Sequence, residues 1–247
     1  MQMIPPVKKG HGHLTLTPEH VAGKRIFVIG DVHGCYEQMM ELLTKADVLT
    51  PDRKRVADDA VVIFVGDIIN RGAENLKVLR WVRKSGAYSV VGNHELNVLE
   101  KGAAKYAWVA DCTPDDLDYL RELPYTISIP THDIVVVHAG LLPGTPLDCQ
   151  EEFVMTRMRN IDEDANGQLV PLERTKDGGR NWADVWHGPE HVIYGHDAKR
   201  GKDSSGHPVI QEHRCATGLD SRCVKKGKLS GLFLADRELL QVSCAHI

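Results

Sequence analysis

The sequence predicts an α/β fold in which a mixed β-sheet, or a pair of sheets, is flanked by helices. Short apolar segments that end at glycine alternate with segments whose apolar residues recur at helical spacing. Further apolar segments of strand length follow in the second half of the chain. The chain has 247 residues, of which 42% are hydrophobic and 26% charged, so it has the composition of a globular protein with a sizeable core.

Three strand–helix units are predicted in the first half of the chain. Their strands are residues 25–30, 60–66 and 87–91. The helices that follow are marked by apolar residues at helical spacing: Met39, Met40, Leu42, Leu43 and Ala46, then Leu76, Leu79 and Val82, then residues 94–99. A fourth helix is predicted to begin at Thr113, because threonine caps helices, the next residue is proline, and acidic residues follow in the first turn.

The second half of the chain contains five further predicted strands and one irregular segment. The strands are residues 125–129, 133–138, 191–195, 229–235 and 238–243. Residues 161–180 are polar and contain glycine, which indicates an insertion rather than a domain boundary. We therefore expect an N-terminal extension over residues 1–22 and a single domain over residues 23–247.

Charge and cysteine content restrict the classes of partner and the compartment. The net charge of −4 gives no overall basic field, so a nucleic-acid partner would need a local basic patch. The six cysteines include no CxxC pair, which favours reduced thiols. No signal peptide or apolar run of bilayer length is recognisable, so we expect a cytoplasmic protein with no membrane contact. The sequence implies no obligate protein partner.

Polar residues cluster directly after the predicted strands. Five short motifs have this position: Gly-Asp-Val-His-Gly at 30–34, Gly-Asp at 66–67, Gly-Asn-His-Glu at 92–95, His-Ala-Gly at 138–140 and Gly-His at 195–196. In open α/β sheets, ligands bind at this edge. Any one motif alone is equally typical of a turn, but five in order indicate a built site.

Six of these residues form a candidate metal-ligand set. They are Asp31, His33, Asp67, Asn93, His138 and His196. Three oxygen donors and three imidazoles, without cysteine, favour two divalent transition metals over calcium or a structural zinc ion; manganese is preferred, with iron, zinc or cobalt as alternatives. Two ions about 3.5–4 Å apart need a shared ligand, and the two carboxylate oxygens of Asp67 make it the predicted bridge.

Residues 26–234 contain, in this order, the motifs GDxHG, GDxxxRG, GNHE, HAG and GH. With these motifs the chain resembles the calcineurin-like metallophosphoesterases. The single histidine in Gly-His-Asp at 195–197 resembles the phosphoprotein-phosphatase branch. Residues 30–36, 156–159, 218–223 and 227–229 are similar to symmetrical diadenosine tetraphosphatases and ApaH-like phosphatases. The resemblance implies an α/β/β/α sandwich of two packed mixed sheets. It also implies that one ion is held by Asp31, His33 and Asp67, and the other by Asp67, Asn93, His138 and His196.

The activity implied by this resemblance is metal-dependent hydrolysis of phosphoanhydrides. We expect diadenosine tetraphosphate to be cut to two ADP by direct attack of a metal-bound hydroxide, without a phosphoenzyme. Phosphoproteins, messenger RNA caps and inorganic polyphosphate stay open as alternative substrates, because the fold and ligands are shared. Asn70 stands where protein serine/threonine phosphatases have an aspartate, which argues against a protein substrate. A catalytically silent scaffold is the alternative outside enzymes, but all the proposed ligands are intact.

Residues near the proposed ligands have predicted catalytic and binding roles. His94 follows the ligand Asn93 and is the predicted general acid, with Asn70 orienting it. Arg71 is predicted to bind phosphate and to stabilise charge in the transition state. Arg157 and Arg159 are both candidate phosphate ligands, with Arg159 slightly preferred.

Three weaker signals have ordinary explanations. Residues 162–173 fit a calcium-loop pattern, but Pro171 argues against an exiting helix, so an acidic surface turn is expected. Trp182 and Trp186 are expected to pack in the core rather than to stack on a nucleobase. Lys225, Lys226 and Lys228 form a small basic cluster that is expected to be a solvated turn.

Overall fold

A computed structural model of the chain describes residues 12–244. Within this range the strands are β1 (His13–Thr15), β2 (Arg25–Ile29), β3 (Ala60–Phe64), β4 (Tyr88–Ser89), β5 (Thr126–Ile129), β6 (Ile134–Val137), β7 (Asn160–Glu163), β8 (Leu169–Leu172), β9 (Arg180–Asn181), β10 (His191–Tyr194), β11 (Gln211–Glu212), β12 (Ala216–Gly218), β13 (Lys228–Phe233) and β14 (Leu239–Ser243). The α-helices are α1 (Pro18–Val21), α2 (Tyr36–Lys45), α3 (Asn75–Ser85), α4 (Asn93–Lys105), α5 (Pro114–Glu122), α6 (Glu152–Arg157) and α7 (Trp182–Val185).

The strands form two main sheets and one small sheet. One main sheet has the order β14-β13-β2-β3-β4, in which β2, β3 and β4 are parallel and β13 is antiparallel to both of its neighbours. The other has the order β1-β5-β6-β10-β12-β11, with β6, β10 and β12 parallel. The small sheet has the order β8-β7-β9 and is antiparallel.

Alternating strand residues build the layers between and outside the two main sheets. On β2, Ile26 and Val28 pack with Val136 of β6 in the core between the sheets. Phe27, one position along, packs with Met39 of α2 in the core under the outer helices. Because successive strand side chains face opposite sides, each buried strand contributes to two cores. The predicted α/β/β/α sandwich of mixed sheets is confirmed.

All eight predicted strands are found, with bounds that differ by at most two residues at either end. Six further strands, β1, β7, β8, β9, β11 and β12, had no clear apolar signal because each has only two to four residues. β1 pairs in parallel with β5, and Leu16 directly after it is fully buried. Residues 13–21 of the predicted extension therefore belong to the folded body, and residues 1–11 lie outside the described range.

The segment predicted as an irregular insertion is an ordered hairpin. β7 and β8 pair in antiparallel fashion around a turn in which Asp164 Oδ1 accepts hydrogen bonds from the backbone N–H groups of Asn166 and Gln168. Side-chain capping of this kind is how aspartate stabilises turns. The calcium-loop pattern thus spans two strands and does not join two helices, which agrees with the expected surface turn.

Both tryptophans singled out in the sequence are core residues. Trp182 is 1% exposed and Trp186 is 6% exposed, and both pack against the outer face of the six-stranded sheet. Trp182 lies so close to Gly140 that a Cβ there would meet the indole ring at 2.6 Å. No helix in residues 12–244 is both long and apolar enough to span a membrane.

Asp116 provides a test of what holds α5 against α3. Its carboxylate is fully buried, accepts hydrogen bonds from Thr113 N and Arg80 Nε at 3.0 Å each, and forms an ion pair with Arg83. Burial raises the pKa of Asp116, but these hydrogen bonds and the Arg80 charge outweigh it and hold the pKa below its usual value. We expect Asp116→Asn to lower the free energy of unfolding at pH 7 by about 2 kcal/mol in urea denaturation.

The pH dependence gives a second measurement on the same variant. Because the pKa of Asp116 is depressed in the folded state, its stabilisation is complete above about pH 4 and is lost as the pH falls below this value. The difference in the free energy of unfolding between wild type and Asp116→Asn should therefore be smaller at pH 3 than at pH 7. Asp115→Asn is the control, because within residues 12–244 the exposed Asp115 carboxylate pairs with Arg83 alone, and its loss should lower the free energy of unfolding by less than about 0.5 kcal/mol. Equal effects from the two variants would contradict this account.

Candidate active site

The carboxyl ends of strands from both main sheets meet at one place. Asp31 follows β2, and Asp67 lies in the loop after β3. His138 follows β6 and His196 lies after β10, so the six-stranded sheet contributes these two side chains. All four residues are at least nine-tenths buried. The structure thus brings together motifs that are more than 160 residues apart in sequence.

Asp67 belongs to two groups of convergent donor atoms. In one, donor atoms of His33, Asp67 and His94 all lie within 4.8 Å of one another. In the other, the same is true of Asp67, His138 and His196. The two carboxylate oxygens divide between them, since Oδ2 lies 3.7 Å from His33 Nε2 and Oδ1 lies 3.4 Å from His138 Nε2.

The remaining predicted ligands lie beside these two groups. Asp31 Oδ2 is 3.9 Å from His33 Nε2, on the side of the first group. Asn93 Oδ1 is 3.1 Å from His138 Nε2, on the side of the second. The structure therefore brings all six predicted ligands together at one place, with His94 rather than Asp31 completing the first convergent group. Their roles as ligands are part of the proposal below.

The buried carboxylates of Asp31 and Asp67 show whether these residues fit divalent cations. Burial, together with the charges of Asp220 and Asp67, raises the pKa of Asp31 well above its usual value. Placing several carboxylates in one cavity is unfavourable unless cations compensate the charge. The imidazole nitrogens approach the carboxylate oxygens at 3.4–3.9 Å, too far for good hydrogen bonds. This mixed set of convergent oxygen and nitrogen donors fits a pair of divalent transition-metal ions.

Backbone carbonyls fix the orientation of three imidazole rings. His33 Nδ1 is 3.3 Å from Ile69 O, His138 Nδ1 is 2.8 Å from Val65 O, and His196 Nε2 is 3.0 Å from Arg157 O. A ring nitrogen that donates to a carbonyl leaves the other nitrogen as the acceptor, which is the arrangement that metal-binding histidines have. Burial also lowers the pKa of His33 to about 4, so this ring is neutral and able to bind a metal at pH 7.

Glycines let the backbone approach the carboxylates, and neighbouring residues adopt left-handed conformations. A Cβ on Gly195 would overlap Asp31 Oδ1, and one on Gly92 would lie 2.6 Å from the Asp67 nitrogen. His33, Asp67 and His196 have φ values of 50°, 48° and 66°. Such conformations cost about 1 kcal/mol or more in residues other than glycine and persist where the surrounding structure holds them.

Glu95 fixes the loop that carries Asp67, a role that the sequence analysis did not assign. Its fully buried carboxylate accepts hydrogen bonds from the backbone N–H groups of Asp67 at 2.9 Å, Gly92 at 2.8 Å and Ile69 at 3.3 Å. Burial and the nearby Asp67 charge raise the pKa of Glu95 to about 7. The signal for this role was the glutamate three residues after Gly92, at the start of α4, where such residues close capping boxes.

Asp220 is a further buried carboxylate near the proposed ligands that the sequence analysis did not assign to the site. It accepts a hydrogen bond from Arg222 N at 3.0 Å, and burial and the Asp67 charge raise its pKa. Asp220 follows β12, a three-residue strand that had no clear sequence signal. Its place at a strand end gave no signal in the hydrophobic pattern, and the available signal was its position within residues 218–223, which carry part of the family resemblance.

The contact between Asn70 and His94 fixes the tautomer of the histidine. Asn70 Nδ2 lies 2.9 Å from His94 Nδ1. Because an amide nitrogen can only donate, Nδ1 accepts, and the proton of the neutral imidazole lies on Nε2. Burial lowers the pKa of His94, although the Asp67 charge opposes this. The Nε2–H group, 3.9 Å from Asp67 Oδ2, is therefore a neutral donor beside the proposed metal ligands.

Three arginines were predicted to bind phosphate, and their surroundings differ. Arg71 is exposed, with Nη1 3.2 Å from His33 Nε2. Arg157 makes one long hydrogen bond, from Nη2 to Asn97 Oδ1 at 3.4 Å. The guanidinium of Arg159 donates to two backbone carbonyls, those of Glu173 and His196. Arg159 thus holds the β7–β8 hairpin against the His196 loop, and the geometry favours Arg157 over Arg159 as the phosphate ligand.

Two packed sheets with convergent carboxylate and imidazole donors at their meeting edge are the arrangement expected of a metal-dependent hydrolase. The chain belongs to the calcineurin-like phosphoesterase family, whose profile matches residues 24–212. The predicted family membership and hydrolase class are confirmed by this match.

Several relatives and solved structures are similar to the chain. A symmetrical bis(5'-nucleosyl)-tetraphosphatase of Janthinobacterium sp. (strain Marseille) is 28% identical, over 88% of this chain and 96% of the relative. An asymmetrical bis(5'-nucleosyl)-tetraphosphatase PrpE of Halalkalibacterium halodurans is 29% identical, over 87% of this chain and 92% of the relative. A crystal structure provisionally described as a diadenosine tetraphosphatase is 36% identical, with a TM-score of 0.82 over 95% of this chain and 98% of its own. A protein serine/threonine phosphatase from Saccharomyces cerevisiae, 13% identical with a TM-score of 0.56 over 96% of this chain and 84% of its own, shares the fold.

Metal content tests whether Asp67 bridges the two proposed ions. We expect wild-type protein loaded with manganese to retain about two ions per chain after desalting, and Asp67→Asn to retain about one or fewer. The reason is that the amide offers one neutral oxygen in place of two anionic ones. Elemental analysis by mass spectrometry measures this without any assay of activity.

Asp162→Asn is the matched control for this experiment. It makes the same chemical change in the exposed β7–β8 hairpin, so it should leave the manganese content at the wild-type value. If Asp67→Asn also kept two ions per chain, Asp67 would not be the bridge.

Proposed function

We propose that the chain hydrolyses dinucleoside tetraphosphates and cuts diadenosine tetraphosphate symmetrically into two ADP. The contact between Asn70 and His94 is the observation that carries this choice of substrate. A carboxylate in place of Asn70 would stabilise the charged imidazolium, whereas the amide only orients the ring. A departing nucleoside diphosphate is a weak base and needs little protonation, but a departing serine or threonine alkoxide needs a strong acid.

The six convergent donors are the proposed ligands of two divalent ions, for which manganese is our choice. Bound there, the ions would neutralise phosphate oxygens and supply an activated water for direct attack on phosphorus. Their proposed ligands are Asp31, His33 and Asp67 for one ion and Asp67, Asn93, His138 and His196 for the other. The Glu95 carboxylate positions Asp67 by accepting a hydrogen bond from the backbone N–H group of Asp67.

Residues at the edge of the donor set have proposed roles toward substrate. His94 Nε2–H donates to the leaving phosphate oxygen as the general acid. Arg71 and Arg157 bind phosphate oxygens, for which the planar guanidinium is suited because it donates two parallel hydrogen bonds. Arg159 is assigned to positioning of the His196 loop, since two carbonyls occupy its guanidinium.

The substrate class is also supported by the relatives, whose names are those of bis(5'-nucleosyl)-tetraphosphatases. They include both symmetrical and asymmetrical enzymes, so the products decide between the two. We further propose a cytoplasmic location, because all six cysteines are free thiols.

Product analysis tests the proposed cleavage. Manganese-loaded protein incubated with diadenosine tetraphosphate should give ADP as the sole nucleotide product on anion-exchange chromatography. His94→Ala should slow this reaction by no more than about 10²-fold, the low end for loss of a general acid, because the leaving diphosphate needs little protonation. ATP and AMP in equal amounts would contradict symmetrical cleavage. Intact dinucleotide beside rapid hydrolysis of a phosphoprotein, a capped RNA or inorganic polyphosphate would contradict the substrate class.

Replacement of Asn70 tests whether this residue sets the preference for anhydride over ester substrates. Asn70→Asp should raise hydrolysis of an alkyl phosphate ester relative to diadenosine tetraphosphate by about tenfold, because the carboxylate favours the charged, more acidic form of His94. The readout is the ratio of the two kcat/KM values, which is insensitive to the amount of active enzyme. Asn70→Ser, which adds no charge, is the control and should leave the ratio unchanged. Equal ratios in all three proteins would show that Asn70 does not select the leaving group.

A further inference from the structure

An open groove of about 740 Å³ lies on the outer surface between α2 and α3. Its lining is made of Tyr36, Glu37 and Met40 from α2, Asp52, Arg53, Lys54 and Arg55 from the loop before β3, and Lys77, Arg80, Trp81 and Lys84 from α3. None of the proposed metal ligands or phosphate-binding arginines is part of this lining. The groove is therefore a feature separate from the proposed active site.

The lining of this groove is strongly basic in a chain of negative net charge. Six lysines and arginines face two acids, which gives four net positive charges, whereas the whole chain has a net charge of −4. Asp52 is engaged within its own loop, where it accepts hydrogen bonds from Thr50 Oγ1 at 2.7 Å and Lys54 N at 3.1 Å. The groove thus meets the requirement for a local basic patch that the overall charge imposes on any nucleic-acid partner.

The α3 residues of the lining form a single stripe along the helix. Lys77, Arg80, Trp81 and Lys84 are separated by three, one and three residues, which places them on one helix face over about 10 Å. The indole of Trp81 donates to Arg53 O at 3.1 Å and so ties the opposite loop to this face. Cationic side chains therefore border the groove on two sides.

The six cations of the lining divide into side chains that are paired with an acid and side chains that are not. The side chains of Arg53 and Lys84 make no hydrogen bond or ion pair within residues 12–244. Three others are paired with acids: Lys54 with Asp52 at 3.9 Å, Lys77 with Glu74 at 2.6 Å and Arg80 with Asp116 at 3.0 Å. Like charges held around one groove repel each other, and an anionic ligand would relieve that repulsion.

The floor of the groove is apolar and partly aromatic. Tyr36 and Met40 are half-buried there, and Lys77 Nζ lies 5.6 Å from the centroid of the Tyr36 ring. Proteins that bind single-stranded nucleic acids without sequence preference combine a positively charged groove with aromatic side chains, so that phosphates pair with the cations and bases contact the aromatic groups. Inorganic polyphosphate would use the walls alone.

We propose that the α2–α3 groove binds single-stranded RNA or DNA without sequence preference. The phosphates lie along Arg53, Arg55 and Lys84, and a base contacts Tyr36 and Met40. This binding is independent of the proposed hydrolysis, because none of the proposed metal ligands or phosphate-binding arginines lines the groove.

Fluorescence anisotropy with a labelled ten-nucleotide oligouridylate tests this proposal at low salt. Simultaneous Arg53→Glu, Arg55→Glu and Lys84→Glu should weaken binding by at least about tenfold and reduce the slope of log K against log salt by about 2. Lys225→Glu, Lys226→Glu and Lys228→Glu together form the matched control, since they make the same charge change in another exposed cluster and should have a smaller effect. Equal weakening by both triple variants, or no binding by wild type, would overturn the proposal.

Two further measurements complete the test. Inorganic polyphosphate, compared at equal phosphate concentration, should compete at least about fivefold less well than unlabelled oligouridylate, because it cannot contact the floor. Equal competition would overturn the assignment to nucleic acid. The groove variant should hydrolyse a chromogenic phosphate ester at the wild-type rate, which shows that it is folded and separates this proposal from the proposed function.

Discussion

The burial of the Asp67 carboxylate among imidazoles is the constraint that shapes the rest of the site. Burial opposes ionisation of this group, yet the surrounding His138, His94 and His33 outweigh it and hold the pKa of Asp67 well below its usual value. A buried anion has to be held by several partners at once. Its loop is fixed by Glu95, its Oδ1 accepts from His94 N, and its backbone is left-handed. The neighbouring glycines are required because any side chain there would occupy the space of these partners.

Hydrogen bonds to uncharged carbonyl and amide groups, rather than ion pairs, set the orientation of the histidine rings around this carboxylate. Carbonyl oxygens select one nitrogen in each of His33, His138 and His196, and the amide of Asn70 selects the tautomer of His94. Orientation is therefore set before any ligand arrives, which lowers the cost of organising the site during a reaction. The same principle explains Arg159, whose charge serves the scaffold because two carbonyls already occupy it.

Much of this arrangement could be predicted from the sequence, because apolar segments of strand length are followed directly by glycine and a candidate metal-binding residue. The strands before Asp31 and Asp67, and the order of the ligands along the chain, follow from that pattern alone. The pairing of β1 with β5 could not be predicted, since it joins segments more than 100 residues apart through three residues. The surroundings of Arg157 and Arg159 were equally hidden, because they depend on where α6 ends and on a hairpin whose polar sequence resembles a loop. Asp220 was missed because β12 has no sequence period long enough to recognise.

The division of the proposed ligands between the two sheets has a consequence for how the protein is made. Asp31, His33, Asp67 and Asn93 come from the first half of the chain, but His138 and His196 are synthesised later. A nascent chain that ends after α4 contains Asp31, Asp67 and Asn93 but lacks the imidazoles of the second group. The complete set of proposed ligands therefore forms only when the two sheets pack together, which depends on contacts between distant parts of the chain. A bound ion would stabilise the folded protein after the sheets have packed and would not nucleate folding.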